Sequence, residues 1–348
     1  MPIRTTTLGA FPKPDYVPVT DWFQVGHDAE DYNDRVLRGW RAPAGADLAL
    51  LDKATAQVIA DQLACGIDVP SDGEVRRENY VHYQCRHMEG FDFQNLTKRV
   101  LRNGAYVAEL PTIAGPVRAG ESSVLVRDWQ VAEAAAGRPT KITLPGPMTI
   151  SDTTADEHYK DPEKLAQDLA IALNFEVRAL ADAGCRYIQI DEPIFARKPD
   201  QALAYGIDAL ARCFEGMPQG VTRVMHMCCG YPNRLDDEDY PKADRHAYQR
   251  IAERVDGVVD QISIEDAHRH NPPELFELFQ KSTLLLGVFR VASSTLETED
   301  QIARRIEEVL SHLPVDRLVA APDCGLGFLG RDLAMKKLRA MCGAASRF

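Results

Sequence analysis

The sequence lacks the features of several large protein classes. No apolar run approaches the ~18 residues that a membrane-spanning helix needs, and residues 1–13 lack the apolar core of a secretory signal. Basic residues are in the minority: 40 Lys and Arg against 52 Asp and Glu give a net charge of −12. This balance argues against nucleic acid or an anionic membrane surface as a partner. The phosphate-binding motif G-x-x-x-x-G-K-[ST] and the nucleophile motif G-x-S-x-G are absent as well.

Cysteine is too sparse to build a disulfide framework. The chain has 8 cysteines in 348 residues, whereas disulfide scaffolds are short and cysteine-dense. A reducing, cytoplasmic compartment is therefore expected, in which some thiols are free to bind metal. The hydrophobic content of 45% and the charged content of 26% are those of an ordinary globular enzyme.

What the sequence does contain is an alternation of short β-branched runs with longer helical patterns. This alternation is typical of β/α units around a parallel sheet. The predicted strands cover residues 3–8, 67–70, 141–144, 187–190, 222–225, 258–264, 284–289 and 317–320. The predicted helices cover residues 47–65, 162–183, 201–214, 244–254, 273–280, 299–313 and 331–341. Eight strands with intervening helices predict a single (β/α)8 barrel of the TIM type, with its chemistry at the C-terminal strand ends.

Two segments do not fit this alternation. Residues 9–41 form an N-terminal excursion that we expect to cap one face, and residues 85–137 form a second excursion, a hairpin or insertion after the second strand. We interpret both as parts of one domain covering residues 1–348.

The most informative local pattern is His226-Met-Cys228, at the end of the fifth predicted strand. Side chains alternate along a strand, so His226 and Cys228 point to the same face, and imidazole with thiolate suits zinc. Glu265 and Cys324 follow two other predicted strands. Together these residues predict a metal site in which Glu265 is a displaceable ligand. The alternative is that the cysteines only pack at the strand ends.

Two acidic segments follow other strands. Asp191 comes directly after the fourth predicted strand, and Glu74 lies beyond the second. A carboxylate at the end of an apolar strand is costly to bury without a partner. One interpretation is that these carboxylates bind the amino group of a substrate. The alternatives are a helix-capping role for Asp191 and a solvated turn around Glu74.

Taken together, the motifs resemble the cobalamin-independent methionine synthase family. The match is to the catalytic C-terminal barrel, covers nearly the whole chain, and is most similar to a short, single-barrel branch. The motifs that carry the resemblance lie in order at residues 7–12, 71–74, 144–149, 189–193, 226–228, 262–265 and 322–325.

The resemblance implies a zinc-dependent S-methyltransferase that methylates homocysteine to methionine. It assigns His226, Cys228, Glu265 and Cys324 as zinc ligands. It assigns Glu74 and Asp191 to the substrate amino group, and the backbone of Leu8, Gly9 and Ala10 to its carboxylate. Glu265 and Asp191 are accordingly the candidate catalytic residues.

The family's methyl-donor side is altered in this chain. Residues 151–154 are Ser-Asp-Thr-Thr where the family has a folate-stacking tryptophan, and Ala292 stands where the family has a catalytic histidine. The donor, a methylfolate or a corrinoid, therefore stays open, as does delivery of the methyl group by an accessory protein. Two alternative functions also remain: alkyl transfer to another thiol, as in epoxide:coenzyme M transferases, and a zinc- or thiol-binding protein without donor-site activity.

Overall fold

The computed structural model describes residues 2–25, 29–101, 106–230, 234–237, 240 and 242–348. Its main sheet is parallel and has the strand order β1-β10-β9-β8-β7-β6-β4. These strands are β1 (Arg4–Thr5), β4 (Lys141–Pro145), β6 (Tyr187–Asp191), β7 (Thr222–Met227), β8 (Gln261–Ile264), β9 (Thr283–Gly287) and β10 (Leu318–Ala321). Their order around the sheet follows the chain, as the predicted barrel requires.

The second predicted strand, residues 67–70, is reduced to isolated bridges that join the two edges of this sheet. On one side the Val69 N–H donates to the Thr5 carbonyl at 3.1 Å, and on the other the Lys141 N–H donates to the Pro70 carbonyl at 2.8 Å. The segment is thus bonded to both β1 and β4 and closes the curled sheet into a TIM-type barrel. The first predicted strand is also shorter than expected, because only Arg4–Thr5 form a ladder.

Helices follow most of the strands. They are α1 (Trp22–Val25), α2 (Ala46–Ala64), α3 (Tyr80–Arg86), α4 (Leu125–Ala136), α5 (Pro147–Asp152), α6 (Pro162–Asp182), α7 (Pro193–Arg197), α8 (Pro199–Gln201), α9 (Ile207–Cys213), α10 (Ala247–Val255), α11 (Glu274–Glu277), α12 (Glu299–Leu310) and α13 (Arg331–Ala345). In the described part of the chain, two π-helical turns, Asn33–Arg38 and Ala202–Gly206, and a 3-10 turn, Val315–Arg317, accompany these helices.

Two helix predictions need correction. The segment 201–214 is divided between α8, a π-helical turn and α9, and the predicted helix 273–280 has only the four residues of α11. Apolar periodicity does not reveal the wider hydrogen-bond pattern of a π turn. The region after α11 is held as a turn instead, because the Asp256 carboxylate accepts the backbone N–H groups of Gln280, Lys281 and Ser282.

Helix α6 shows how the sequence determines where a helix begins and which face it buries. Asp161 caps its N-terminus by accepting the Lys164 N–H at 3.0 Å, with proline at the first helical position. Its buried face includes Leu165, Leu169 and Leu173, one turn apart, so that the helix packs on the barrel. No helix in the described part of the chain is long and apolar enough to cross a membrane.

The segment predicted as an excursion at 85–137 contains two different structures. Strands β2 (Met88–Leu101) and β3 (Tyr106–Ala119) pair as a long antiparallel hairpin. A third, two-residue strand, β5 (Ala155–Asp156), pairs in parallel with β3. Helix α4 then packs on α2 and α6 and so occupies a place among the helices around the barrel. Parts of both excursions lie outside the described residues. The extent of the domain, residues 1–348, stays a prediction.

The barrel interior divides into an apolar middle and a polar upper end. Leu8, Val224, Leu285, Val319 and Ala321 form a buried cluster separate from the core under the helices. At the C-terminal strand ends this packing gives way to histidine, cysteine and carboxylate side chains. This rim is the expected location of an active site in a barrel of this type.

Candidate active site

The structure brings three of the four predicted metal ligands together. The ligand atoms of His226, Cys228 and Cys324 lie within 4.8 Å of one another, and all three side chains are buried in the cluster. His226 Nε2 is 3.3 Å from Cys324 Sγ. His226 is in β7 and Cys228 follows it, whereas Cys324 lies beyond β10, so the cluster joins two separate strand ends. Two thiols and an imidazole are a donor set that suits zinc.

The orientation of the His226 ring is fixed from behind. Its Nδ1 atom is 2.9 Å from the Ser263 hydroxyl, and the two residues are register partners in the β7–β8 ladder. Engagement of Nδ1 leaves Nε2 directed at the thiols, as is usual for metal-binding histidines. Ser263 gives no signal in the sequence, because only the strand register places it behind His226.

The two thiols are electrostatically unequal. A hydrogen bond from Cys324 and the neighbouring His226 hold the pKa of the Cys228 thiol well below its usual value. The proximity of Cys228 and burial raise the pKa of the Cys324 thiol well above its usual value. A cation that binds such a thiolate–thiol pair would displace one further proton, from the remaining thiol to solvent.

Glu265 lies beside the cluster without joining it. Among the described residues, the group that could hold a metal ion comprises only His226, Cys228 and Cys324. The Glu265 carboxylate instead accepts a hydrogen bond from the Cys229 backbone N–H. Burial, followed by the negative charges of Cys228 and Asp323, raises the pKa of Glu265 well above its usual value. Its role as a ligand stays a prediction.

The opening at the C-terminal strand ends, here called the mouth, also has an acidic half, which contains Asp191 and Glu74. Asp191 is the last residue of β6 and the register partner of His226. The Gln189 side-chain amide donates to its carboxylate at 2.7 Å. Burial raises the pKa of Asp191 to about 7, with Glu74 contributing in the same direction. Asp191 is therefore a buried acid adjacent to the metal-ligand cluster, and the capping alternative does not describe its contacts.

Glu74 lies in the same acidic half and has an unusual backbone conformation. Its φ of 55° is in the left-handed region, and its side chain is directed at Gly9, where an added Cβ would lie 2.6 Å from Glu74 Oε1. The Thr143 hydroxyl donates to Oε1 at 2.8 Å. Burial raises the pKa of Glu74. The solvated-turn alternative is excluded, since Glu74 is 6% exposed.

Arg77 is a charged residue of this half that the sequence did not reveal. Its guanidinium lies 3.0 Å from Asp72 Oδ2 and 3.6 Å from Glu74 Oε1, and it also donates to the Thr143 carbonyl at 2.8 Å. All of these groups are buried. Arg77 thus compensates part of the acidic charge and orients Glu74.

The loop at residues 8–10 is held between neighbouring strand ends. The Ser71 hydroxyl donates to the Gly9 carbonyl at 2.7 Å, and the Leu326 N–H donates to the Ala10 carbonyl at 2.6 Å. The side chain of Leu8 packs in the barrel interior. That the backbone of this loop receives a substrate carboxylate stays a prediction.

Aromatic side chains that the sequence did not single out lie where the N-terminal excursion approaches the C-terminal strand ends. Tyr80 lies 6.4 Å from the Trp22 ring, and Phe23 packs edge-on against Phe328 with 5.2 Å between ring centroids. Burial, Asp191 and the two cluster thiols raise the pKa of the Tyr80 hydroxyl. The predicted N-terminal excursion thus brings α1 against the loop that follows β10.

The glycine-rich run 325–330 has the form G-x-G-x-x-G, a pattern associated with dinucleotide binding. Two of its three glycines serve packing here, whereas nothing lies within 4 Å of a Cβ added at Gly330. A Cβ at Gly325 would lie 3.2 Å from the Cβ of Ala10, and a Cβ at Gly327 would lie 2.3 Å from the Phe23 ring. The run therefore lets the loop that carries Cys324 pass close to the N-terminal segment.

With this geometry established, comparison with known proteins identifies the family. Residues 3–347 match the family model described as cobalamin-independent synthase, catalytic domain. The chain belongs to this family. It is accordingly a methyltransferase, and the resemblance drawn from the motifs is confirmed.

Several relatives cover almost the full chain. The methionine synthase of Sulfolobus acidocaldarius is 28% identical over 97% of this chain and 89% of its own length. That of Saccharolobus solfataricus is 29% identical over 97% of this chain and 92% of its own. A solved B12-independent methionine synthase from Shewanella sp. W3-18-1, in complex with selenomethionine, superposes with a TM-score of 0.86 at 30% identity, covering 99% of this chain and 97% of that one.

Proposed function

We propose that the protein is a zinc-dependent S-methyltransferase that transfers a methyl group to the thiol of homocysteine and forms methionine. The observation that carries this proposal is the placement of a His/Cys/Cys cluster next to a buried acidic pair in one barrel mouth. His226 and Asp191 are register partners on adjacent strands, so a small amino acid could present its thiol to one group and its amino group to the other.

His226, Cys228 and Cys324 would hold the zinc ion, and Glu265 would be the fourth, displaceable ligand. The fit rests on the donor set: two adjacent thiols and an imidazole whose Nε2 faces them. Bound zinc lowers the pKa of a coordinated thiol, so that the substrate sulfur is a thiolate nucleophile at neutral pH. The Cys229 N–H, which accommodates the Glu265 carboxylate in the structure, stabilises that side chain when it is not a ligand.

Asp191 and Glu74 would bind the substrate ammonium group. Both carboxyl groups are buried, and burial raises the pKa of each, although Arg77 lies 3.6 Å from Glu74 Oε1. An ammonium group placed between them would restore both to the ionised form. The backbone of Leu8, Gly9 and Ala10 would receive the substrate carboxylate. In this arrangement Asp191 would orient the substrate, and Glu265 would be the ligand that the substrate sulfur replaces.

The methyl donor would be a methylfolate or a corrinoid, received at the aromatic rim formed by Trp22, Phe23, Tyr80 and Phe328. Flat aromatic ligands stack on such side chains. Delivery by an accessory protein is compatible with the same rim. We further propose that the protein acts in the cytoplasm, as a single domain over residues 1–348.

The experiment that tests this function is a single-turnover assay of the zinc-loaded protein with homocysteine. Methylfolate and methylcobalamin are supplied in separate reactions, and methionine is quantified by mass spectrometry. Methionine formed from either donor supports the proposal. Methylation of coenzyme M in preference to homocysteine would instead support the alternative function, alkyl transfer to another thiol. We do not expect this result, because coenzyme M has no amino group for Asp191 and Glu74 to bind. Zinc binding without turnover of either donor would indicate a thiol-binding protein.

A further inference from the structure

Buried polar side chains behind the His226, Cys228 and Cys324 cluster form a hydrogen-bonded frame that lies outside the candidate site itself. Two of its members lie on different elements. Tyr248 is in α10, and Asp323 immediately precedes Cys324. Both are buried, with exposures of 0% and 2%, and the hydroxyl and carboxylate of these side chains bond to the backbone of neighbouring strand ends.

Tyr248 joins the end of β7 to the end of β8. Its hydroxyl donates to the Met227 carbonyl at 2.7 Å and accepts the Glu265 N–H at 3.1 Å. Met227 lies between His226 and Cys228 in the chain. One hydroxyl group therefore connects the backbone of the first two ligands to the backbone of the predicted fourth.

Asp323 joins the end of β10 to the residues that follow Glu265. Its Oδ1 accepts the N–H groups of Asp266 and Ala267 at 2.9 and 3.0 Å, and its Oδ2 accepts the N–H of His268 at 2.9 Å. Three backbone donors thus converge on one buried carboxyl group. A Cβ at Gly287 would lie 2.2 Å from Asp323 Oδ1, so the neighbouring strand leaves room for this carboxylate only by carrying glycine.

The carbonyl of Glu265 is fixed as well, because the Asn271 side-chain amide donates to it at 2.7 Å. The backbone of Glu265 is thus held at its N–H, at its carbonyl and at the following three residues.

We propose that Tyr248 and Asp323 are positioning residues of the metal site. They fix the strand ends that carry the ligands in one frame, so that the ligand side chains would be presented to the ion from a rigid backbone. This inference rests on the proposed function, since it assumes that His226, Cys228 and Cys324 hold zinc. Outer residues that orient metal ligands typically change metal affinity or activity by roughly 10–100-fold when they are replaced.

The test compares the rate at which zinc passes from the loaded protein to an excess of a chromogenic chelator. The variants are Asp323→Asn and Tyr248→Phe. The matched control is Asp256→Asn, because Asp256 accepts three consecutive backbone N–H groups in the same manner, from Gln280, Lys281 and Ser282. Asp256 lies at the end of α10 away from the cluster, before β8 begins.

We expect zinc release to accelerate by roughly tenfold or more in Asp323→Asn and Tyr248→Phe, while Asp256→Asn lowers the melting temperature and leaves the release rate at the wild-type value. Wild-type release rates in both site variants would overturn the positioning role and leave the proposed function intact. Equal acceleration in all three variants would also overturn it, because general loosening would then be the cause. Absence of stoichiometric zinc in the wild-type protein would instead contradict the proposed function.

Discussion

The two halves of the barrel mouth are both short of positive charge, but they differ in what can supply it. The thiol half, at the ends of β7, β8 and β10, presents His226, Cys228 and Cys324, soft donors that suit a metal ion. The acidic half presents Asp191 and Glu74, hard oxygen groups that Arg77 compensates only in part. We infer that a resident cation completes the first half and that the substrate's own ammonium completes the second. Under the proposed function, the mouth would receive a molecule with a thiol at one end and an amine at the other.

The largest effect is expected from breaking the thiol half. Cys324→Ser replaces a thiol in the cluster by a hydroxyl that does not ionise at neutral pH, so we expect zinc content and methionine formation to fall to background. Cys342→Ser is the matched control, because Cys342 lies in α13 outside the cluster. Atomic absorption measures zinc per chain in both variants. Full activity in zinc-free Cys324→Ser would refute the division of the mouth into these halves.

Breaking the acidic half should separate substrate binding from metal binding. Asp191→Asn removes one charged partner of the ammonium group, and hydrogen bonds to charged groups contribute ~1.5–3 kcal/mol. We therefore expect the KM for homocysteine to rise about 10- to 100-fold, with zinc content unchanged. Asp260→Asn, which affects the partly exposed contacts of this carboxylate with the Arg223 guanidinium and backbone N–H, should leave both quantities at their wild-type values. Loss of zinc in Asp191→Asn would show that the two halves are not independent.

The pH dependence of the KM for homocysteine tests the role of Asp191 in the acidic half further. Burial raises the pKa of Asp191 to about 7 in the ligand-free protein, so the carboxyl group is protonated, and does not attract an ammonium, below that pH. The KM for homocysteine should consequently rise as the pH falls from about 8 to about 6. The rise should be smaller in Asp191→Asn, which has no charge to lose at this position. An identical pH profile in the two proteins would assign the titration to another group.

A smaller effect is expected where the halves meet the N-terminal loop. Gly9 has a φ of +101°, and an added Cβ would lie 2.6 Å from Glu74 Oε1, so Gly9→Ala should displace that carboxylate and raise the KM for homocysteine several-fold. Gly137→Ala is the matched control, since its φ is +61° and nothing lies within 4 Å of the added Cβ. Left-handed strain costs roughly 1–2 kcal/mol per residue, and both variants should lose stability. An unchanged KM in Gly9→Ala would place the substrate away from this loop.

The sequence predicted the site residues that follow from strand periodicity. His226 and Cys228 share a face because side chains alternate, and Cys324 reaches them because parallel strands end at one rim. The supporting groups could not be predicted in this way. Ser263 lies behind His226 only because of the β7–β8 register, and Asp323 receives its three N–H donors from a loop more than fifty residues earlier.

The fold was predictable at the level of the barrel and less so at the level of individual elements. Apolar runs located most strands within a few residues. The segment 67–70 is the exception, since only isolated bridges form where it meets β1 and β4. The excursion at 85–137 concealed a regular barrel helix, α4, because the long hairpin before it interrupts the β/α alternation.

The most direct test of the account measures zinc per chain and homocysteine methylation on the same preparation. Both are determined as purified, after removal of metal by a chelator, and after addition of zinc. We predict about one zinc ion per chain, held by one cluster of this kind, loss of methylation with the metal, and recovery of both together. Methylation that persists after the metal is removed would contradict the central claim that the His226, Cys228 and Cys324 cluster activates the substrate thiol.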